Sequence, residues 1–298
     1  MKTSVVIPSY NPALKLPETL HLLAEQYESI DELILVIDHT NFQNLSKPLV
    51  EKYSAIFNLK IVEQKDSGRG KSRNKGAEVC SGDLIIFFDD DMLPEKDLIK
   101  KHIQYHIQKP GIILSGNGYR NPEDAKYDFG KYLVKMEDGW KKAVNGIGEI
   151  TFEKFNFTAC NMSLPKNIFE QLGGFDTRFS DGEDFDFAVR AIDKKIRVVY
   201  DNTLLAWHND WPEISTYIKR QAEYRKAKKE IFKAHPEYLA HFAQMLPKEK
   251  GWSTRFLDFL LKSPLTWFVT SQNSIFAALP CNMRFRLYEL AIAVNTRD

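Results

Sequence analysis

Asp89, Asp90 and Asp91 follow directly on the five apolar residues 84–88. An apolar run of that length reads as a strand buried in a largely parallel sheet. In such sheets ligands bind beyond the carboxyl ends of the strands. Three adjacent carboxylates repel one another when ionised, and a cation or bound partner relieves the repulsion. A solvated acidic turn is the simpler account. The position between a strand and Met92-Leu93-Pro94 favours a divalent metal site. A second acidic group is Gly182-Glu183-Asp184-Phe185-Asp186, placed after the turn Gly173-Gly174-Phe175-Asp176. Ala188, Val189 and Ile192 give the helix that follows its apolar side. Glu183 and Asp184 then stand in its first turn, where the macrodipole favours negative charge. That suffices for Glu183 or Asp186 alone, but a carboxylate at a helix start beside a crevice also suits a general base. His208, within Leu205-Ala206-Trp207-His208-Asn209-Asp210, is either packed beside its tryptophan or an imidazole ligand to the same metal.

These groups need elements to position them. The first half alternates strands (residues 4–7, 33–37, 59–62 and 84–88) with helices marked by Leu16, Leu20 and Leu23, by Leu45, Leu49, Tyr53 and Ile56, and by residues 72–79. The turn Pro8-Ser9-Tyr10-Asn11-Pro12 closes the first strand. A further strand spans residues 197–200. Alternating strands and helices predict an α/β fold with a doubly wound, mostly parallel sheet and right-handed crossovers. Asp38 and Asp89 both then lie at carboxyl ends of strands, where a nucleotide crevice forms.

The chain has 298 residues, enough for one large α/β domain with an appendage. With 43% hydrophobic and 27% charged residues it is expected to fold around a packed core. A net charge of +1 argues against a dedicated nucleic-acid binder. Residues 212–298 carry 14 Lys+Arg against 8 Asp+Glu, the remainder 27 against 32. Cys80, Cys160 and Cys281 form no Cys-x-x-Cys pattern, so reduced thiols in a cytoplasmic protein are expected. The opening lacks a secretory leader pattern. The most apolar stretch, residues 257–279, is interrupted by Lys262, Pro264, Gln272 and Asn273 and is not expected to span a bilayer.

Gly70-Lys71-Ser72 imitates the end of a phosphate-binding loop, and Leu84 to Asp89 imitates its partner strand. The glycine such a loop needs five residues before Gly70 is Lys65. A nucleotide hydrolase therefore stays an alternative, to be told apart by binding ATP or GTP. Lys71 and Arg73 are either exposed bases on a surface helix or donors to phosphates at a helix N-terminus.

Together these segments resemble a family 2 glycosyltransferase, an inverting nucleotide-sugar enzyme of the GT-A fold. Val5-Val6-Ile7-Pro8-Ser9-Tyr10-Asn11 is similar to the family's first strand and turn, and Glu32-Leu33-Ile34-Leu35-Val36-Ile37-Asp38 to its second strand. Ser72-Arg73-Asn74-Lys75-Gly76 and Ser81-Gly82-Asp83 lead into Phe87-Phe88-Asp89-Asp90-Asp91 as in the family, whose Asp-x-Asp motif is here Asp89 and Asp91. Asn161, Gly173-Gly174-Phe175-Asp176, Gly182-Glu183-Asp184 and Ala206-Trp207-His208 resemble the acceptor half of the bacterial chondroitin-polymerase and β-1,4-galactosyltransferase type. The likeness covers about residues 3 to 210. Ile37 stands where the family often has a first aspartate. Asp181 stands where the galactosyltransferase-like relatives keep a glycine with an aromatic nearby.

The resemblance implies a nucleotide-sugar donor, favouring UDP, and a glycan or lipid-linked acceptor. It implies Mn²⁺ or Mg²⁺ held by Asp91 and His208, with Asp89 as a further ligand lying nearer the ribose. Asp90 would shape the turn beside the nucleotide, Pro8 and Tyr10 would flank it, and Asp38 would read the base. Arg73 and Lys71 would meet the diphosphate. Asp184 would be the general base, with Glu183 orienting it or the acceptor. Residues 1–211 are then the transferase domain and 212–298 a basic, aromatic-rich helical extension. A non-catalytic nucleotide-sugar-binding relative is the other alternative.

Within the extension, Ile214, Tyr217, Ile218, Ala222 and Ala227 mark a helix whose other side carries Lys219, Arg220, Arg225, Lys226, Lys228 and Lys229. It either packs on the rest of the protein or meets anionic lipid at the inner face of the membrane. Trp252, Phe256, Phe259, Trp267, Phe268 and Phe276 favour a helical mini-core over a partner-binding face. The polar, glycine-bearing stretch 119–155 is expected to be a long loop serving as an acceptor lid.

Overall fold

A computed structural model describes residues 1–10, 15–39, 42–65, 67–144, 146–243, 252–272 and 274–296, with the backbone alone for 42–46, 50, 143, 144 and 252–261. Asn11, Pro12 and Asn273 lie outside the described residues, as do the side chains of Leu45, Trp252, Phe256 and Phe259.

The strands are β1 (Thr3–Ser9), β2 (Glu32–Asp38), β3 (Leu59–Gln64), β4 (Leu84–Phe88), β5 (Met92–Pro94), β6 (Ile112–Ser115), β7 (Ile147–Glu149), β8 (Asn161–Pro165), β9 (Arg197–Asp201) and β10 (Ala206–His208). The helices are α1 (Leu16–Ala24), α2 (Phe42–Tyr53), α3 (Arg69–Val79), α4 (Leu98–Gln108), α5 (Asp128–Val144), α6 (Lys166–Leu172), α7 (Glu183–Asp193), α8 (Ile214–Ala234), α9 (Leu239–Phe242), α10 (Trp252–Ser271), α11 (Ser274–Ala278) and α12 (Cys281–Thr296).

Eight strands form one mostly parallel sheet in the order β3-β2-β1-β4-β8-β6-β9-β7. The run β3-β2-β1-β4 is parallel throughout, whereas β8 is antiparallel to both β4 and β6. The chain winds outward from β1 to β3, then restarts at β4 on the other flank of β1. Strand order thus reverses between β1 and β4, the place where an α/β sheet opens a crevice.

Period-two alternation sends successive residues to opposite faces. Val5, Ile7, Leu33, Leu35, Leu84, Ile86 and Phe88 bury one face with Leu16, Leu20 and Leu23 of α1 and Leu98 and Ile99 of α4. Val6, Ile34, Val36, Ile85 and Phe87 bury the other with Ala77 of α3, Phe169 of α6 and Phe187 of α7. Gly76 lets α3 lie directly on the sheet, because a Cβ there would collide with Val6 and come within 3.1 Å of Val36.

The described chain divides into two compact units, Met1–Asn121 with Glu137–Asp210, and Pro122–Met136 with Trp211–Asp298. The second unit has its own core. Phe129, Tyr132 and Leu133 of α5 meet Ile214, Tyr217 and Ile218 of α8, Val269 of α10, Phe276 of α11, and Phe285, Tyr288 and Ala291 of α12.

One expectation is corrected here, and a second is met by one of its two alternatives. The stretch 119–155 is not a long loop, since it contains α5 and β7. Its apolar residues Phe129, Tyr132, Leu133 and Met136 follow helical spacing, which outweighs Gly130 and Gly139. The α8 helix spends its apolar side on the core of its own unit. Exposed Glu223 and Glu230 interleave with exposed Lys219, Lys226 and Lys229, so its outer face is mixed in charge. Phe276 is buried as a core residue and Trp267 is exposed. Among the described residues no helix is long and apolar enough to cross a membrane.

Candidate active site

The site is built along the carboxyl edge of β1, β2 and β4. Ser9 ends β1, and its hydroxyl donates to the Asp90 carboxylate. The Asp90 carbonyl accepts from Thr19 Oγ1 of α1 at 2.9 Å. Burial pushes the Asp90 carboxyl up to about 7, with Ser9 opposing and Asp91 and Asp89 adding to the rise. Asp90 therefore pins the acidic turn to the end of β1.

Asp38 ends β2 and is buried. Its two oxygens accept from the backbone N–H of Ser67 at 3.1 and 3.0 Å, and Oδ2 also accepts from Gly68 N–H at 2.9 Å. Gly68, at a φ of 83°, sits in the left-handed region that only glycine enters cheaply, and it starts α3. Asp38, expected to read a base, holds the start of α3 through these bonds. The amides that a phosphate-binding loop would present are taken by that carboxylate, and Gly70-Lys71-Ser72 is helix rather than loop. Lys71 stands exposed. Pro8 is buried within β1 opposite Val36, so it shapes the strand end. Tyr10 is exposed, with its ring edge-on to His39 at 5.5 Å between centroids.

Arg73 is the centre of the site. It is 2% exposed, which corrects its reading as a surface base. Nη2 donates to Asp89 Oδ1 at 2.7 Å and Nη1 to Glu183 Oε1 at 2.6 Å. Burial opposes its charge, but Asp89 and Glu183 outweigh burial and hold the guanidinium firmly protonated. Its planar fork suits two carboxylates at once, as a lysine would not. Asn74, the next residue, donates to the Phe175 carbonyl at 2.8 Å and accepts from Phe175 N–H at 2.8 Å. Arg69 reaches Asp181 at 3.2 Å. The segment Arg73-Asn74 and the acidic segment beyond Gly174 are thus physical partners.

Gly182, at a φ of 74°, starts α7 with Glu183 and Asp184 in its first turn. Glu183 is buried on Arg73, so it is not free to meet an acceptor. Asp184 is only partly buried, and its Oδ1 accepts from Phe185 N–H at 2.8 Å. Burial and the neighbouring Glu183 push its carboxyl up to about 6.

On the other side of the acidic turn, β10 pairs antiparallel with β5, setting His208 opposite Met92. His208 Nε2 lies 3.2 Å from Asp91 Oδ1. Asp91, His208 and Asp210 offer ligand atoms all within 4.8 Å of one another. Asp89, expected among the ligands, is not in this group, and its carboxylate accepts from Arg73. Lys15 Nζ lies 2.9 Å from Asp210 Oδ1 and 3.4 Å from Asp91 Oδ2. Burial would raise the Asp91 carboxyl, but the His208 hydrogen bond and the charges of His208 and Lys15 hold it well below the usual carboxylate range. Arg120 braces Asp210, its Nε donating to the Asp210 carbonyl at 2.5 Å. Sequence reasoning missed Lys15, Arg120 and Asp210. Asp210 alone had a local signal, two residues beyond His208 on an extended segment.

The family model for glycosyl transferase family 2 matches residues 4–175. The chain belongs to the family 2 glycosyltransferases. An uncharacterised glycosyltransferase of Bacillus subtilis, YfnE, is 28% identical over 71% of this chain and 50% of its own length. The glucosyl-dolichyl phosphate glucuronosyltransferase of Haloferax volcanii is 28% identical over 68% of this chain and 64% of its own. The chain thus spans about half to two thirds of the length of these curated relatives. Among solved structures, the Pyrobaculum calidifontis mannosyltransferase PcManGT, in complex with GDP-Man and Mn²⁺, matches with a TM-score of 0.61 at 16% identity, over 99% of this chain and 86% of that one. That likeness is one of fold, and the glycosyltransferase described here has the GT-A architecture.

Proposed function

We propose that this family 2 glycosyltransferase moves a sugar from a nucleotide-sugar donor to a hydroxyl of a glycan or lipid-linked acceptor, inverting the anomeric carbon by single displacement. The observation that carries the reading is the double grip of Arg73 on Asp89 and Glu183. It ties the acidic turn after β4 to the start of α7 and so brings the expected donor-side and acceptor-side carboxylates near one another.

The donor set at Asp91, His208 and Asp210 fits a divalent ion. It offers two carboxylates and an imidazole, ligands that suit Mn²⁺ or Mg²⁺, and it already gathers a cationic group in Lys15. These three side chains would hold the ion, which when bound neutralises charge developing on the leaving diphosphate. The mannosyltransferase of the same fold, solved in complex with GDP-Man and Mn²⁺, supports a divalent ion as part of this reading. The chain's own groups do the rest. Asp184 takes the proton from the attacking hydroxyl, a contribution of about 10²–10⁴-fold in rate. A carboxyl tuned to about 6 is poised for that task near neutral pH. Glu183 acts through Arg73 as a positioning residue. Tyr10 offers an exposed ring to the nucleobase, and Lys15 is placed to meet diphosphate once it leaves the carboxylates.

UDP is favoured as the nucleotide by the resemblance of the strand and turn motifs. A lipid-linked acceptor is in keeping with the dolichyl phosphate relative. Any membrane contact would fall to exposed charges such as Lys219, Lys226 and Lys229 of α8, since the apolar side of that helix is spent on its own core. Screening nucleotide sugars with Mn²⁺ for thermal stabilisation tests the donor reading, because a ligand of the native state raises stability by mass action. Stabilisation by UDP- or GDP-sugars supports it; stabilisation by ATP or GTP alone would point to a nucleotide hydrolase.

A further inference from the structure

The core holds two histidines that no step above uses. His102 and His106 lie one turn apart on α4, both buried. His102 Nδ1 is 2.7 Å from Ser163 Oγ, and its Nε2 is 2.9 Å from Asn161 Oδ1. His106 Nε2 is 2.8 Å from the same Ser163 oxygen. The Asn161 amide nitrogen donates to the carbonyls of Asn117 and Leu204, at 3.0 Å each.

Every proton in this set can be assigned. Both N–H bonds of the Asn161 amide end on carbonyl oxygens, so its Oδ1 accepts and His102 Nε2 carries hydrogen. A neutral imidazole then has a bare Nδ1, which accepts from the Ser163 hydroxyl. Ser163 has a single hydrogen, so its oxygen must accept from His106 Nε2–H. That leaves His106 Nδ1 bare, and it is indeed a buried nitrogen without a hydrogen-bond partner. Burial pulls both imidazoles down to about 4, with His102 adding to the effect on His106, so both are neutral near pH 7.

Three segments of the site meet at the end of this chain of bonds. Asn161 opens β8 opposite Phe88, the residue before Asp89. Asp89 N–H donates to the carbonyl of Cys160 at 3.1 Å. Leu204 leads into β10, which carries His208. Asn117 lies two residues before Tyr119, whose carbonyl accepts from His208 N–H at 3.0 Å. Gly116 leaves the space this junction needs, because a Cβ there would come within 2.8 Å of the Leu204 carbonyl and press on the Asn161 amide.

We infer that His106, Ser163 and His102 form a one-way hydrogen-bond wire that locks the Asn161 amide and, through it, seats His208 against Asp91. Asn161, Ser163 and His102 are then positioning residues for the donor side of the site. The chemistry they serve rests on the function proposed above. The wire itself does not.

Histidine-selective ¹⁵N labelling and NMR of the ring nitrogens test it. The seven histidines are assigned by substitution. In the wild-type protein at pH 7, His102 and His106 should both carry their hydrogen on Nε2. Asn161→Asp keeps the acceptor but loses both donors, and should move the ring signals of His208 and lower transfer by about 10–100-fold, as loss of an outer-shell partner does. Ser163→Ala, a smaller change, should move the same signals, and Ser163→Thr, which keeps the hydroxyl, should leave them in place. Hydrogen on His102 Nδ1, or His208 signals unmoved by both Asn161→Asp and Ser163→Ala, would overturn the inference. If the signals behave as expected while the wild-type protein transfers no sugar, the functional reading falls and the wire stands.

Discussion

Arg73 and Glu183, 110 residues apart in the chain, form a buried ion pair with 2.6 Å between Nη1 and Oε1. The other arm of the same guanidinium holds Asp89. Removing one partner of a buried pair leaves a charge uncompensated, at a cost of about 3–5 kcal/mol. Arg73→Ala and Glu183→Ala should each destabilise strongly, and the double variant should lose less than the sum of the two. Urea denaturation of the four proteins gives the coupling directly. Contacting charged residues couple by about 0.5–3 kcal/mol, and strictly additive losses would show that the pair does not act as a unit.

Asp184→Asn should cut transfer by about 10²–10⁴-fold while leaving nucleotide affinity nearly unchanged. The substitution should also stabilise the protein. The folded carboxyl sits near 6 against an ordinary 3.8, so between those values the native state binds more protons than the unfolded chain. Stability therefore falls as pH rises through that window, and the whole penalty is present above about 6. Asn removes it. The gain in melting stability over wild type should grow from pH 4 to pH 6 and level off at about 1–3 kcal/mol. A variant less stable than wild type at pH 8 would contradict the assigned environment of Asp184.

The rate profile should carry the same signature. A general base works only when deprotonated, so kcat should rise with pH through about 6, the value its surroundings impose. A limb near 4 would mean that Asp184 is not raised in the working complex. A rate independent of pH between 5 and 7 would remove it from the proton transfer.

Lys15 and the metal reading make a separate prediction. Its ammonium is held by Asp91 and Asp210, where it competes with any cation those groups bind. Lys15→Ala should tighten Mn²⁺ binding several-fold in an EPR titration without substrate, whereas Asp210→Asn and His208→Ala should weaken it about 10–100-fold. Chelation with EDTA should abolish transfer, and added Mn²⁺ should restore it. Full activity in EDTA would dismiss the metal.

Much of this was legible in the chain, for reasons that can be named. Strands β1, β2 and β4 announce themselves because they are buried on both faces and read as unbroken apolar runs. The acidic turn and the pair Glu183-Asp184 were visible because carboxylates stand directly at element ends. What stayed hidden depends on contacts between distant segments. Nothing around Arg73 signals that it is buried, since the Asp89 and Glu183 carboxylates that make burial affordable arrive from elsewhere. The bonds of Asp38 to the Ser67 and Gly68 amides were hidden too, because those residues come beside it only in the folded chain. Lys15, Arg120 and Asp210 meet only once the chain has folded. In α5, two glycines masked the helical spacing of Phe129, Tyr132, Leu133 and Met136, which tertiary packing then rewarded.

The most direct measurement compares wild type and Asp184→Asn with a panel of nucleotide sugars, Mn²⁺ and a mixed glycan acceptor pool, following both nucleotide binding and nucleoside diphosphate release. The account predicts acceptor-dependent release by the wild type, and from the variant full binding with release reduced at least about 100-fold. Equal release by the two proteins, or loss of binding together with release, would contradict it.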